Sequence, residues 1–265
     1  VYIIFGVTSL PAERKALLFS VGGVRLALRL SQVREILEVG PGGAEIIARG
    51  ESYPVAFVST VLGLAGGEAR YALLVDSNPR AALRVERIQG IVDLADAEVF
   101  QIPARTRLPQ PAPFAGAIVA RGELSLELAT TAIGWEPLPS ATDSGEPPGD
   151  AGSTGERELV FERGGRRYGV PMSNLVRILE GPRIAPVPLT APSHLGLLYN
   201  ARSLHAVVDL AALHGDPPAS VISRTVIVDA GGAEVALAAD RIERVGALPD
   251  AAGVLRPVWD TLLAG

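Results

Sequence analysis

The chain has 265 residues, 48% hydrophobic and 20% charged, enough length and apolar content for two ordinary domains with cores of their own. A net charge of −5 excludes the basic footprint of a nucleic-acid binder. No cysteine is present, so disulfide frameworks, thiolate zinc sites and cysteine nucleophiles are excluded as well.

Val1–Val7 (VYIIFGV) is apolar but far shorter than the ~20 residues that span a bilayer. It also lacks the basic flank of a secretory signal. It reads as a short strand or a disordered end within an N-terminal extension over 1–13. Apolar runs at 16–19 and 24–28 flank Gly22-Gly23. A glycine pair between such runs reads as a tight hairpin, because both central residues need positive φ. Ser31-Gln32-Val33-Arg34-Glu35 reads as one helical turn begun by a serine cap. Ser59–Leu64 is a second short helix. Ala117–Ala120 and Leu124–Leu128, around Gly122, form another hairpin placed to complete a barrel.

Glu136–Gly155 is Pro, Gly, Ser and acid with almost nothing to bury. That composition makes a flexible linker with a root-mean-square span of roughly 25 Å. Two flanking domains are then expected to move independently. Beyond it, Ser173-Asn174 and Leu210–Leu213 read as helical turns. Thr225–Asp229 and Glu234–Ala238 flank Gly231-Gly232 as a further hairpin.

The second half repeats the first. Residues 17–38 (LLFSVGGVRLALRLSQVREILE) align with 159–180 (LVFERGGRRYGVPMSNLVRILE) without a gap. The register continues from Pro54-Val55-Ala56 to Ala206-Val207-Val208, from Leu74-Val75-Asp76 to Ile227-Val228-Asp229, and from Arg87-Ile88 to Arg241-Ile242. Such self-similarity decides the architecture before any local prediction. The first copy lacks the Pro-rich stretch around Ile184–Ser193. The second is short at its end, where Asp250–Leu263 stands for Asp96–Ile133. Short strands with turn signals at close spacing predict an all-β protein of sandwiches or small barrels.

Site chemistry is sparse. His194, His205 and His214 lack metal-ligand spacing and read as surface or partly buried side chains. The acid pairs Asp93/Asp96 and Asp240/Glu243 sit at strand ends and read as solvated. No dinucleotide, phosphate-loop or nucleophile-elbow motif occurs. A protein of this kind is expected to work by contact, without cofactor, metal or catalysis.

The segments F-x-x-G-G with V-R-E-I-L, then A-R-G-E-x-x-P-V, Y-A-L-L-V-D, A-L-R-V-E-R-I-Q-G-I-V-D-L and F-A-G-A-I-V-A-R-G-E-L-S-L-E-L resemble the CheW family of bacterial chemotaxis adaptors. The second copy resembles it through G-L-L-Y-N-A-R-S-L-H-A-V-V-D-L and V-I-V-D-A-G-G-A-E-V-A-L-A-A-D-R-I-E-R-V. The resemblance implies tandem CheW-like modules over 14–135 and 156–265, joined by a linker over 136–155. Each module would hold two small SH3-like five-stranded β-barrels with short helical turns. It implies a non-enzymatic, cytoplasmic adaptor at membrane-associated receptor arrays. Its partners would be the regulatory domain of a CheA-type histidine kinase and a chemoreceptor's cytoplasmic tip, with neither nucleic acid nor membrane insertion. The family's coupling motifs fall on Val33, Glu35 and Ile36, and on Arg49-Gly50. In the second copy they fall on Leu175, Arg177 and Ile178, and on Ala201-Arg202, with charge reversed at the glutamate. A second reading is a diverged module serving a motility or gene-regulatory pathway. An enzyme on a barrel scaffold would need convergent polar groups in a pocket, and no such cluster is visible.

Overall fold

Gly22 and Gly23, at φ of 57° and 79°, turn the chain between β1 (Lys15–Val21) and β2 (Val24–Arg29). A side chain on Gly22 would place its Cβ 2.8 Å from the carbonyl oxygen of Ala65, so the turn takes glycine there for space as well as for φ. Across this hairpin Phe19 faces Leu26, and both are fully buried. The structure, a computed structural model, describes residues 12–40, 42–130, 135–143, 157–247 and 253–257, with the side chains of 244, 246 and 247 left aside. It divides into two compact units, Val1–Ile102 with Leu108–Ser140, and Pro103–Arg107 with Ala141–Gly265.

In the first unit a single 3-10 turn (Leu30–Gln32) leads from β2 into β3 (Val33–Glu38). There follow β4 (Glu45–Ala48), β5 (Glu51–Phe57), a one-turn helix α1 (Val58–Val61), β6 (Tyr71–Val75) and β7 (Ala81–Val85). The chain then returns through β8 (Arg87–Asp93), β9 (Glu98–Phe100), β10 (Phe114–Ala120) and β11 (Glu123–Leu128). One sheet has the order β8-β1-β2-β11-β10-β9, the other β3-β6-β7-β5-β4. The second sheet is thus inserted between the first hairpin and the strands that complete the first sheet. Leu37, Tyr53, Ala72, Leu74 and Ala82 form its core.

The second unit repeats the plan with β12 (Arg157–Arg163), β13 (Arg166–Pro171), β14 (Leu175–Glu180), β15 (Ile184–Ala185), β16 (His194–Asn200) and β17 (Ser203–Val208). It continues with a one-turn helix α2 (Leu210–Leu213), β18 (Arg224–Asp229), β19 (Glu234–Ala239), β20 (Arg241–Ala247) and β21 (Val254–Leu255). Its sheets run β20-β12-β13-β21 and β14-β18-β19-β17-β16-β15. Leu159, Phe161, Tyr168, Val170, Leu210 and Leu237 lie in one buried cluster, each contributing roughly 1.5–3 kcal/mol of transfer free energy.

The sequence register is reproduced in three dimensions. A bulge in β8 lies opposite Leu18 and Phe19, and one in β20 opposite Val160 and Phe161. A second falls between Val33 and Glu35 in β3 and between Leu175 and Arg177 in β14. The last strand joins the second in parallel at the same place, Leu126 beside Leu26 and Leu255 beside Tyr168.

The class is all-β, as the sequence implies, but the strand count departs from five. Among the described residues the four sheets hold six, five, four and six strands. The extra β15 comes from the Pro-rich stretch that the first copy lacks. It lies so close to β16 that a Cβ on Gly196 (φ 136°) would meet the carbonyl oxygen of Ala185 at 2.2 Å. The helical turn expected at 31–35 ends at Gln32. Val33 and Glu35 instead pair with Val75 and Leu74, because a β-branched residue followed by sheet partners favours the ladder. Ser31 caps nothing, since Arg29 holds the cap position without a side-chain bond. The helix expected over Ser59–Leu64 is Val58–Val61. Ser173-Asn174 is a turn rather than a helix.

Val1–Pro11, 144–156 and 258–265 lie outside the described residues, and with them the expected N-terminal strand and most of the expected linker. Within the first unit Leu138 donates its N–H to Val61 O at 3.1 Å, and the Trp135 indole donates to Pro79 O at 3.3 Å.

One ion pair, part-buried in the first unit and buried in the second, joins the last strand to the rest of its sheet in each unit. In the first, Arg29 of β2 donates to Glu127 of β11 through Nη2 at 3.0 Å. In the second, Arg256, directly after β21, donates to Glu158 of β12 through Nε at 2.8 Å and Nη2 at 3.2 Å. The parallel joints place Arg256 at the position of Glu127, so the signs are exchanged between copies. Gly169 leaves room for the Glu158 carboxylate, whose oxygen a Cβ there would meet at 3.0 Å. Glu158 has 1% of its side chain exposed. Breaking such a pair strands a buried charge, so Glu158→Ala is expected to destabilise the second unit by about 3–5 kcal/mol in urea unfolding. Glu68→Ala, which breaks the exposed pair with Arg70, is expected to cost under about 1 kcal/mol.

Candidate functional site

β3 and β4 are the two ends of the five-stranded sheet, and polar side chains join them across its seam. Glu35 of β3 reaches Arg49, in the turn between β4 and β5, with an oxygen 3.4 Å from Nε. Arg34, the bulged residue, pairs with Glu51 of β5, donates to the Tyr53 hydroxyl at 2.9 Å and lies 3.4 Å from Asp76. Arg80 adds contacts of 3.5 Å to Glu51 and 3.6 Å to Asp76. Tyr53 is fully buried to its hydroxyl, which sits 3.1 Å from Glu51 and 3.2 Å from Asp76. Burial, and then the two carboxylates, push its pKa above the usual phenol value. A charge-lined seam results, presented beside an exposed turn.

Arg49 and Gly50 form that turn, at φ of 52° and 79°. Two consecutive positive φ values are those of a type I′ hairpin, matching the right-handed twist of the strands. Arginine in this conformation costs about 1 kcal/mol relative to glycine, and its side chain remains 65% exposed. Ala201 and Arg202 make the same turn in the second unit, at 49° and 64°. There Arg177, in the place of Glu35, donates to Asn200 Oδ1 at 3.1 Å. The link from the bulged strand to the hairpin survives with its polarity inverted.

Of the eight residues expected at a partner surface, the structure brings Glu35, Arg49 and Gly50 together. Val33 is half-buried, and Leu175 packs against the core of its unit. Ile36 and Ile178 each follow the seam residue in their strand and so point to the opposite sheet face. Ile178 is exposed, whereas Ile36 is half-buried. Sequence reasoning missed the cluster of Arg34, Glu51, Tyr53, Asp76 and Arg80, and also Ile47 on β4, the most exposed large apolar side chain of that sheet. The alternation of β4, half-buried at Ile46 and exposed at Ile47, is the one local signal that could have marked it.

Three of the four acids read as solvated are engaged, while Asp96 is exposed. Asp93 accepts from the N–H of Ala95, Asp240 from Arg163 and from the N–H of Gly164, and Glu243 from Arg167. His194 opens β16 and is buried. Its Nδ1 lies 3.0 Å from Ser193 Oγ, which itself donates to Asp143. Burial, reinforced by Arg107, depresses its pKa from 6.5 to about 4. No group of three potential metal ligands occurs among the described residues, and no described helix is long and apolar enough to cross a membrane.

A family model described as "CheW-like domain" matches residues 15–133 and again 158–252. Among solved structures, the scaffolding protein TtCheW from Thermoanaerobacter tengcongensis aligns at 13% identity over 48% of this chain and 97% of its own, with a TM-score of 0.38. No curated protein matches the chain.

The depressed pKa of His194 sets a pH window. A histidine that binds its proton less readily when folded contributes stability that is complete above about pH 6.5 and is lost as pH falls towards 4. The loss is on the order of 3 kcal/mol. Urea unfolding of wild type is expected to show this decline between those values, and His194→Asn to flatten it. Parallel curves for the two proteins would exclude the effect.

Proposed function

Because the chain belongs to the CheW-like domain family through both of its halves, we propose that it is a tandem adaptor joining a chemoreceptor's cytoplasmic tip to the regulatory domain of a CheA-type histidine kinase. It acts by contact rather than catalysis, in the cytoplasm at receptor arrays, and its modules correspond to 14–135 and 156–265. Family membership supports the chemotaxis-type scaffolding role. The observation that carries the finer reading is the Glu35–Arg49 pair at a strained, exposed turn.

The first module carries the coupling. Its rim holds an arginine fixed by a carboxylate, with Ile47 exposed on the adjacent strand. A charge so placed sets register and encounter rate more than raw affinity. In the second module the corresponding turn position is Ala201, and Arg177 replaces the glutamate. Leu175 and Ile178 then serve packing and a secondary contact. This polarity change favours a second reading, in which the later module has diverged towards a partner in a motility or gene-regulatory pathway.

In a reconstituted array of receptor fragment, kinase and this chain, Arg49→Ala is expected to lower receptor-controlled kinase activity several-fold, while Arg202→Ala leaves it near wild type. Equal effects would sink the assignment to the first module. Failure of the wild-type chain to co-purify with either component would sink the coupling role itself.

A further inference from the structure

The two units carry the same three-strand row with different chemistry. In the second, Glu162 of β12 lies between Arg167 of β13 and Arg241 of β20, being the register partner of both. Arg241 pairs with Glu162 at 2.6 Å and with Glu243 at 3.2 Å, and Arg167 pairs with Glu243 at 2.9 Å. Two guanidinium groups are thus matched by two carboxylates.

In the first unit the arginines remain, and the acids at the positions of Glu162 and Glu243 are replaced by Ser20 and Gln89. Ser20 of β1 is the register partner of Arg25 and Arg87. Gln89, the bulged residue of β8, takes the place of Glu243. Arg25 reaches Glu123 with Nη2 at 2.7 Å, but its Nε, the atom whose counterpart in Arg167 binds Glu243, is buried without a partner. Arg87 makes neither an ion pair nor a side-chain hydrogen bond among the described residues. Both arginines line a cavity of about 650 Å³, together with Arg121. Like charges flanking one position across strands repel, and a guanidinium fork is shaped for carboxylate or phosphate.

We propose that this cavity is a docking site for a pair of carboxylates on an acidic protein segment, which take the positions that Glu162 and Glu243 fill in the second unit. The internal copy specifies the chemistry, because there the same arginines are already bound to glutamates. Asp93, Asp96 and Glu123 also line the cavity, Glu123 already paired with Arg25. Their charge disfavours a dense polyanion such as nucleic acid and leaves a short segment with two acids as the fitting ligand. The site lies on the first sheet of the unit and does not depend on the coupling role of Arg49.

The test uses the full chain and the peptide acetyl-Ala-Glu-Ala-Glu-Ala-amide, titrated at low salt and followed by NMR of the arginine Nε–H signals. Wild type is expected to bind one peptide, with Arg25 and Arg87 shifting. Arg87→Ala should weaken binding by about tenfold, the scale of one lost charge-assisted bond. The double variant Ser20→Glu/Gln89→Glu installs the acids of the second unit, and it should abolish binding while melting no lower than wild type. Glu162→Ser/Glu243→Gln should create a second binding equivalent. Peptide binding indifferent to these changes, or none in wild type, would overturn the site. Tighter Arg87-dependent binding of inorganic phosphate would overturn the carboxylate assignment.

Discussion

A carboxylate buried against a guanidinium ties the end of each module to its beginning. The pairs Arg29–Glu127 and Glu158–Arg256 each span 98 residues of sequence. Within that span lies an entire second sheet, so the chain passes through it before reaching the strand that completes the first sheet. That path links the two sheets of a module, because the strand that finishes one sheet arrives only through the other. The parallel joint beside each pair is short, two residue pairs in each unit.

The same economy shapes the second sheet. Five strands meet edge to edge in the first unit, and Arg34, Glu35, Arg49 and Glu51 occupy the seam in place of a further hydrogen-bonded strand. In the second unit the seam is plainer, with Arg177 on Asn200, and the far edge is covered by β15. Covering an edge with a short strand and binding it with charges are two solutions to the problem of unpaired backbone groups. The copy with the charged seam presents the exposed arginine and Ile47.

Much of this was legible in the sequence where the signals are local. The glycine pairs at 22–23 and 164–165 marked hairpins, and both adopt the positive φ that such turns need. The gapless alignment of 17–38 with 159–180 located equivalent strands and, through them, equivalent bulges. What escaped were effects between distant positions. Arg34 finds its partners 17 to 42 residues away, at Glu51 and Asp76, so no spacing rule picks them out. Val33 was read as helical because the Ser31 signal is local, whereas its partner Val75 is supplied by tertiary pairing. Asp240 and Glu243 looked solvated because Arg163 and Arg167, which bind them, lie far away in sequence on β12 and β13.

The exchanged signs of the two closing pairs bear on how a tandem protein reaches its native state. Adjacent copies with matching strands are prone to trade them during folding, the characteristic error of repeated domains. Here a trade is penalised at its decisive contact. Were β11 to add to the second unit, Glu127 would come to rest against Glu158. Were β21 to add to the first, Arg256 would meet Arg29. Each terminal strand therefore carries the charge that matches its own module and not that of its neighbour.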